Sequence, residues 1–101
     1  MVGAGGAVAI ARDATTNEAV GSGLYPVPVE HVTELAAVGT LPSYRQRGVA
    51  TAVIGHLADR ALRRNVRLVW LTAEHDAEHQ AAEEAGFHEA GETMVHISHS
   101  A

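Results

Sequence analysis

The chain has 101 residues, a formal net charge of −5 and no cysteine. That length fits one domain with a modest core rather than two. The absence of cysteine excludes disulfides and a thiol nucleophile, and it fits a reducing cytoplasm. With 47% hydrophobic residues the chain is expected to form a folded globule, and no apolar run of about 18 residues offers a membrane span.

In chain order, the opening Met1 to Ala11 is apolar and glycine-rich without a basic start, which argues against a signal peptide. Ala7 to Arg12 reads as a short strand and Asp13 to Glu18 as a polar turn. Ala19 to Val29 reads as a second strand, broken by Gly21 and Gly23, with Pro26 and Pro28 fraying it toward a loop or an edge. Val32 to Leu41 reads as a third strand, with Gly39 as its expected bulge or splay point. A helix is expected from Val49 to Asn65, because Val53, Ile54, Leu57, Ala58, Ala61 and Leu62 recur at helical spacing. The near-continuous apolar run Val66 to Thr72 reads as a buried strand. Asp76 to Ala85 is a second helix ended by Gly86. Phe87 opens a last strand region, with a turn over Glu89 to Glu92 and a return over Thr93 to Ser98. The expected order is β-β-β-α-β-α-β-β, a mixed α/β domain without internal repeats.

Charge is unevenly spread. The segment Arg45 to Arg67 holds six arginines and one aspartate, net +5, whereas the rest holds one arginine and eleven acids, net −10. So short a basic patch argues against general nucleic-acid binding and suits a small polyanion held at one place. Arg60, Arg63, Arg64 and Arg67 are read as complementing a helix C-terminus, which leaves Arg45 and Arg47 as phosphate candidates. Between the third strand and the first helix runs Pro42-Ser-Tyr-Arg-Gln-Arg-Gly-Val-Ala-Thr51. Unpaired N–H groups at a helix start, with the helix dipole behind them, make a docking place for a phosphate or pyrophosphate. Gly48 allows close backbone approach, and the small Ala50 keeps the entrance open.

The spacing Arg45-x-x-Gly48-x-Ala50, followed downstream by Ala85-Gly86-Phe87, resembles the R/Q-x-x-G-x-G/A signature of the GNAT family, the Gcn5-related N-acetyltransferases. The resemblance covers nearly the whole chain. It implies a mainly antiparallel mixed sheet flanked by two helices, matching the family core from its second strand onward. The N-terminal strand and pair of helices that usually come before are not represented. It also implies acetyl-coenzyme A as cosubstrate. Its pantetheine arm would contact Val38, Gly39 and Thr40, and its phosphates would meet Arg45, Gln46, Arg47, Gly48, Val49, Ala50 and Thr51.

Acetyl transfer to an amine needs a held donor, a group that takes the amine's proton, and a proton for the departing thiolate. Glu34, eight residues before Pro42, stands where many family members place a carboxylate that works through water. Its neighbours Val32, Leu35 and Ala36 would partly desolvate it, although strand alternation also allows a solvent-facing residue. The general acid is where the pattern departs from the family. The usual helix tyrosine falls on Ala82, and the asparagine of the same pattern falls on His75. His79, Tyr25 and water remain as alternatives, and Tyr44 is read as packing beside the loop. His75 and His79 are four apart, but Asp76 follows His75 where a zinc-protease helix needs Glu, so no metal is expected. The chain has no lysine, which excludes lysine autoacetylation.

The expected activity is therefore transfer of an acetyl group from acetyl-coenzyme A to a primary amine of a small molecule or peptide, in the cytoplasm, with neither nucleic acid nor membrane as partner. The alternative is a coenzyme A-binding module or subunit without catalysis. A homodimer is a further expectation, since a short core leaves sheet edge and apolar face uncovered.

Overall fold

The computed structural model describes residues 5–45, 48–73, 76–91 and 93–97. It contains β1 (Ala7–Arg12), β2 (Ala19–Tyr25), β3 (Val32–Glu34), β4 (Ala36–Thr40), a 3-10 turn (Pro42–Tyr44), α1 (Val49–Arg63), β5 (Leu68–Leu71), α2 (Asp76–Glu84), β6 (His88–Ala90) and β7 (Thr93–Ile97). They form two sheets, ordered β1-β2-β4 and β3-β5-β7-β6.

The first sheet is built for a helix on one face only. Along β1, Ala7 is buried and Ala9 and Ala11 pack against the core, whereas Val8 and Ile10 stay more than half exposed on the outer face. Val53, Ile54, Leu57, Ala58 and Ala61 make the buried stripe of α1, the 3.6-residue periodicity of an amphipathic helix. Glycine lets this helix lie close on β2. A Cβ at Gly21 would sit 2.5 Å from Val49 Cγ1, and one at Gly23 would meet Val53, Leu57 and Val38 at 3.0 to 3.3 Å. Glycine in these strands thus serves close packing, and β2 continues through both positions to end at Tyr25, just before Pro26.

Helix ends follow local chemistry. Asn65 takes a left-handed φ of 74° after α1, a conformation that asparagine tolerates, and Arg64 N donates to Ala61 O at 3.0 Å. The helix therefore stops at Arg63, two residues short of the expected Asn65. Gly86, with φ 101°, ends α2 as expected: Phe87 N donates to Ala82 O at 2.9 Å and Gly86 N to Glu83 O at 3.0 Å, the paired bonds of a left-handed helix C-cap. Among the described residues, no helix is long and apolar enough to cross a membrane.

The main departure from the sequence reading lies in the third strand, which is two strands in two sheets. Val32, Thr33 and Glu34 pair in parallel with Leu68, Val69 and Trp70 of β5, and Leu35 N extends this pairing by donating to Trp70 O at 2.9 Å. From Ala36 the chain leaves β5 and pairs antiparallel with β2, with Gly21 opposite Thr40, Ser22 opposite Gly39 and Leu24 opposite Ala36. Three steps along β4 match two along β2, so β4 carries an extra residue there. The irregularity falls at Ala37, whose φ is 54°, and not at Gly39. A left-handed alanine inside a strand costs roughly 1–2 kcal/mol. The surrounding pairings hold it: Leu35 on one side is 3% exposed, and Thr33 Oγ1 donates to Pro26 O at 3.1 Å.

Strain at Ala37 can be tested against ordinary strand preference. Valine normally favours strands over alanine and glycine disfavours them. Here Ala37→Gly is expected to raise unfolding stability by about 0.5–1 kcal/mol, and Ala37→Val to lower it by about 1–2 kcal/mol. Urea denaturation that ranks valine above glycine would place no strain at this residue.

Candidate functional site

Because β3 follows β5 while β4 turns away to β2, a wedge opens beside the end of β5. It holds a cleft of about 280 Å³. Glu34, Leu35, Ala36, Ala37 and Val38 line it from the switching strand, Leu71 and Thr72 from the end of β5, Ile54 from α1 and Glu78 from α2. β4 is an edge of its sheet, so the side turned from β2 has no strand partner among the described residues. An extended molecule can pair there as a strand would.

The second part of the site is the start of α1. Gly48 is the N-cap, with φ 80°, and among the described residues no side chain caps the helix. The first bond of the turn runs from Ala52 N to Gly48 O at 3.0 Å. The N–H groups of Gly48, Val49, Ala50 and Thr51 therefore have no partner within the helix, and the first turn holds no acidic residue. A Cβ at Gly48 would have nothing within 4 Å among the described residues. Free donors, the positive end of a 15-residue helix and open space together fit an oxyanion or pyrophosphate. The Thr51 hydroxyl donates to Glu84 Oε1 on α2 at 3.2 Å, so its backbone rather than its side chain faces this role. Arg45, exposed, follows the 3-10 turn, where its N–H donates to Pro42 O at 3.4 Å. Gln46, Arg47 and His75 lie outside the described residues.

One helix joins the two parts. Ile54 in the cleft is four residues beyond Ala50, hence one turn along the same face, about 6 Å of rise. Glu34 and Val38, both singled out in the sequence, line the cleft. Gly39 and Thr40 do not. They border a broader hollow at the other end of β4, with Ile10, Val20, Ser22 and Leu41. Glu78 is the residue that sequence reasoning missed. The available signal was its position one turn before Ala82, on the helix face where the family pattern sets its tyrosine. Ala82 is itself fully buried, and Glu78, only partly buried, comes out at the cleft.

The alternative proton donors fare differently. Tyr25 is fully buried and does not line the cleft. His79 points its ring to two carboxylates, with Nε2 2.8 Å from Glu89 Oε2 on β6 and Nδ1 3.2 Å from Glu83 Oε1 on α2. Its pKa is raised above 6.5, first by the hydrogen bond to Glu89, against the cost of desolvation, and then by the charge of Glu83 and Glu89. That arrangement is an exposed tie between α2 and β6. Among the arginines read as complementing a helix end, Arg60 and Arg63 do lie in the last turn of α1, and Arg63 pairs with Asp59 at 2.9 Å. No group of three or more His, Cys, Asp or Glu residues able to hold a metal occurs among the described residues.

The His79 tie sets a pH dependence. A histidine whose pKa is raised by folding stabilises fully below its unfolded value, near 6.5, and the contribution disappears as pH rises through the higher folded value. The gap in Tm between wild type and His79→Gln is expected to be wide at about pH 6 and to close toward about pH 9. A gap that does not change with pH would contradict a charged His79 in the folded state.

Solved structures share this architecture. A protein of Exiguobacterium sp. 255-15 classed as an acetyltransferase superposes with a TM-score of 0.75 at 22% identity, covering 94% of this chain and 64% of its own. The ribosomal-protein-S18-alanine N-acetyltransferase of Escherichia coli gives 0.72 at 20% identity, covering 92% and 68%. A spermidine N-acetyltransferase chimera from Vibrio cholerae and hSSAT gives 0.75 at 17% identity, covering 93% and 70%. The chain thus spans roughly two thirds of the length of these proteins, and slightly less for the first. No curated protein matches it in sequence. The profile of the acetyltransferase (GNAT) family matches residues 3–88. With the splayed strand, the uncapped glycine-led helix and this match over most of its length, the chain belongs to the GNAT acetyltransferase family.

Proposed function

We propose that the protein is an N-acetyltransferase that moves the acetyl group of acetyl-coenzyme A directly to a primary amine of a small molecule or peptide. The observation that carries this reading is the switch of strand between Leu35 and Ala37, which leaves one edge of β4 without a strand partner among the described residues, beside a cleft. In this reading the pyrophosphate meets the N–H groups of Gly48 to Thr51 and the charge of Arg45. The pantetheine arm runs along β4 past Val38 as an added strand, and the thioester enters the cleft near Glu34. The amine nitrogen bonds to the thioester carbonyl carbon and the C–S bond breaks. An acceptor that arrives as ammonium loses one proton through water to Glu34 before the attack, which frees its lone pair. The second proton, released after the attack, passes through water to the coenzyme A thiolate.

Two carboxylates on the cleft, Glu34 and Glu78, favour an acceptor that arrives as an ammonium ion. The names of the relatives include both a small polyamine acceptor and a protein-terminal one, and both chemistries suit this reading. A second reading, a coenzyme A-binding module without turnover, is favoured by Ala82, whose methyl group gives up no proton. Binding of acetyl-coenzyme A with no transfer to any amine in a broad panel would select it.

Calorimetric titration is expected to give one acetyl-coenzyme A per chain with a Kd of about 10 µM, or roughly −7 kcal/mol. Gly48→Glu, which adds a negative side chain at the helix start, is expected to weaken binding by at least about thirtyfold. Unchanged affinity in this variant would remove the start of α1 from the donor site. Glu34→Gln is expected to lower kcat at neutral pH by about a hundredfold, the scale of a lost general base, with donor affinity unaltered. Undiminished turnover would assign the proton to another group.

A further inference from the structure

The turn that leads into the donor loop is tied to a distant part of the chain. The Tyr44 hydroxyl donates to Asp13 Oδ2 at 2.6 Å, across 31 residues of sequence. At that length the bond belongs to the short, charge-assisted class between a hydroxyl and a carboxylate. Both ends are fixed independently. Asp13 organises the β1–β2 turn: its Oδ1 accepts from Thr15 N at 2.7 Å and Thr16 N at 3.1 Å. Its own N–H donates to Glu18 O at 2.9 Å, and Asn17 N donates to Asp13 O at 2.8 Å. Tyr44 closes the 3-10 turn, its N–H donating to Leu41 O at 2.8 Å, and its side chain is half-buried. One carboxylate oxygen thus holds the Asp13 turn together, and the other reaches the residue just before Arg45.

We infer that Asp13 is a positioning residue for donor binding: through Tyr44 it fixes the 42–45 turn that carries Arg45. This inference rests on the reading of the α1 start as the pyrophosphate site. A loop whose entry is fixed before the ligand arrives loses less conformational freedom on binding. The gain therefore appears in affinity for the donor and not in the transfer step. Neither residue lines the cleft, so neither acts on the reacting atoms.

A plain staple between hairpin and loop would change stability alone, and kinetics separates the two roles. Tyr44→Phe keeps the ring and removes the hydroxyl. It is expected to raise the Kd for acetyl-coenzyme A about tenfold, the scale of one hydrogen bond to a charged group, while kcat at saturating donor stays within about twofold. Asp13→Asn retains an acceptor oxygen for the turn amides, so it is expected to fold and to weaken donor binding less than Tyr44→Phe. Added to Tyr44→Phe, it should cause a smaller loss of affinity than it does alone, as expected of two residues that share one route. Donor affinity in Tyr44→Phe within about twofold of wild type, with only Tm lowered, would overturn the inference. Independent, additive losses from the two substitutions would overturn it as well. Wild-type protein that binds no acetyl-coenzyme A would instead remove the donor reading on which the inference stands.

Discussion

Leu35 is the last residue that the strand shares with β5, and Ala36 is the first that it gives to β2. The rest of the site depends on that exchange of partners. A strand that stayed with β5 throughout would fill its hydrogen-bonding edge with protein and close the wedge. By leaving, it presents a row of backbone donors and acceptors with no partner strand among the described residues, a feature that proteins usually cover or blunt. The cost is a left-handed alanine at position 37, of the kind that persists where surrounding structure over-determines it. Both anchors are secure here, with Leu35 in the core on one side and the β2 register from Ala36 to Thr40 on the other.

Helix α1 then gives the site its length. Its apolar stripe seats it against β2 through two glycines, its uncapped start provides donors for an anion, and Ile54 carries the same helix face into the cleft. Packing and function use the same spacing: the residues that set how deep the helix lies also set how far the anion site stands from the cleft. Charge follows the same division. Arginine precedes the helix start, and the first turn holds no acid, whereas Glu34 and Glu78 stand at the cleft. A donor with anionic phosphates and an acceptor with a cationic amine would each meet the opposite sign.

Much of this was legible in the sequence. The short run Ala7 to Arg12, the helical spacing from Val53 to Leu62, Gly86 as a helix end and Gly48 at a helix start are local signals, and each appears where it was expected. The split of the third strand was not legible, because its cause is tertiary. Nothing between Val32 and Leu41 breaks a strand except Gly39, and glycine drew the irregularity to the wrong position. The deciding fact is that β5 and β2 compete for one strand, which only the assembled sheets reveal. Glu78 escaped for a similar reason. It sits in an ordinary acidic helix, and its place at the cleft follows from the burial of Ala82 one turn later. The Asp13–Tyr44 bond joins two polar residues 31 apart that carry no motif.

The central claim is that the donor pairs with the edge of β4 and caps the start of α1. Amide hydrogen exchange, followed residue by residue with and without acetyl-coenzyme A, tests it most directly, because an edge amide that gains a partner becomes protected. The account predicts slowing concentrated in Ala36 to Thr40 and in Gly48 to Thr51, with β6 and β7 unchanged. Ligand binding that leaves the β4 amides exchanging as before, or that protects β6 and β7 instead, would contradict it.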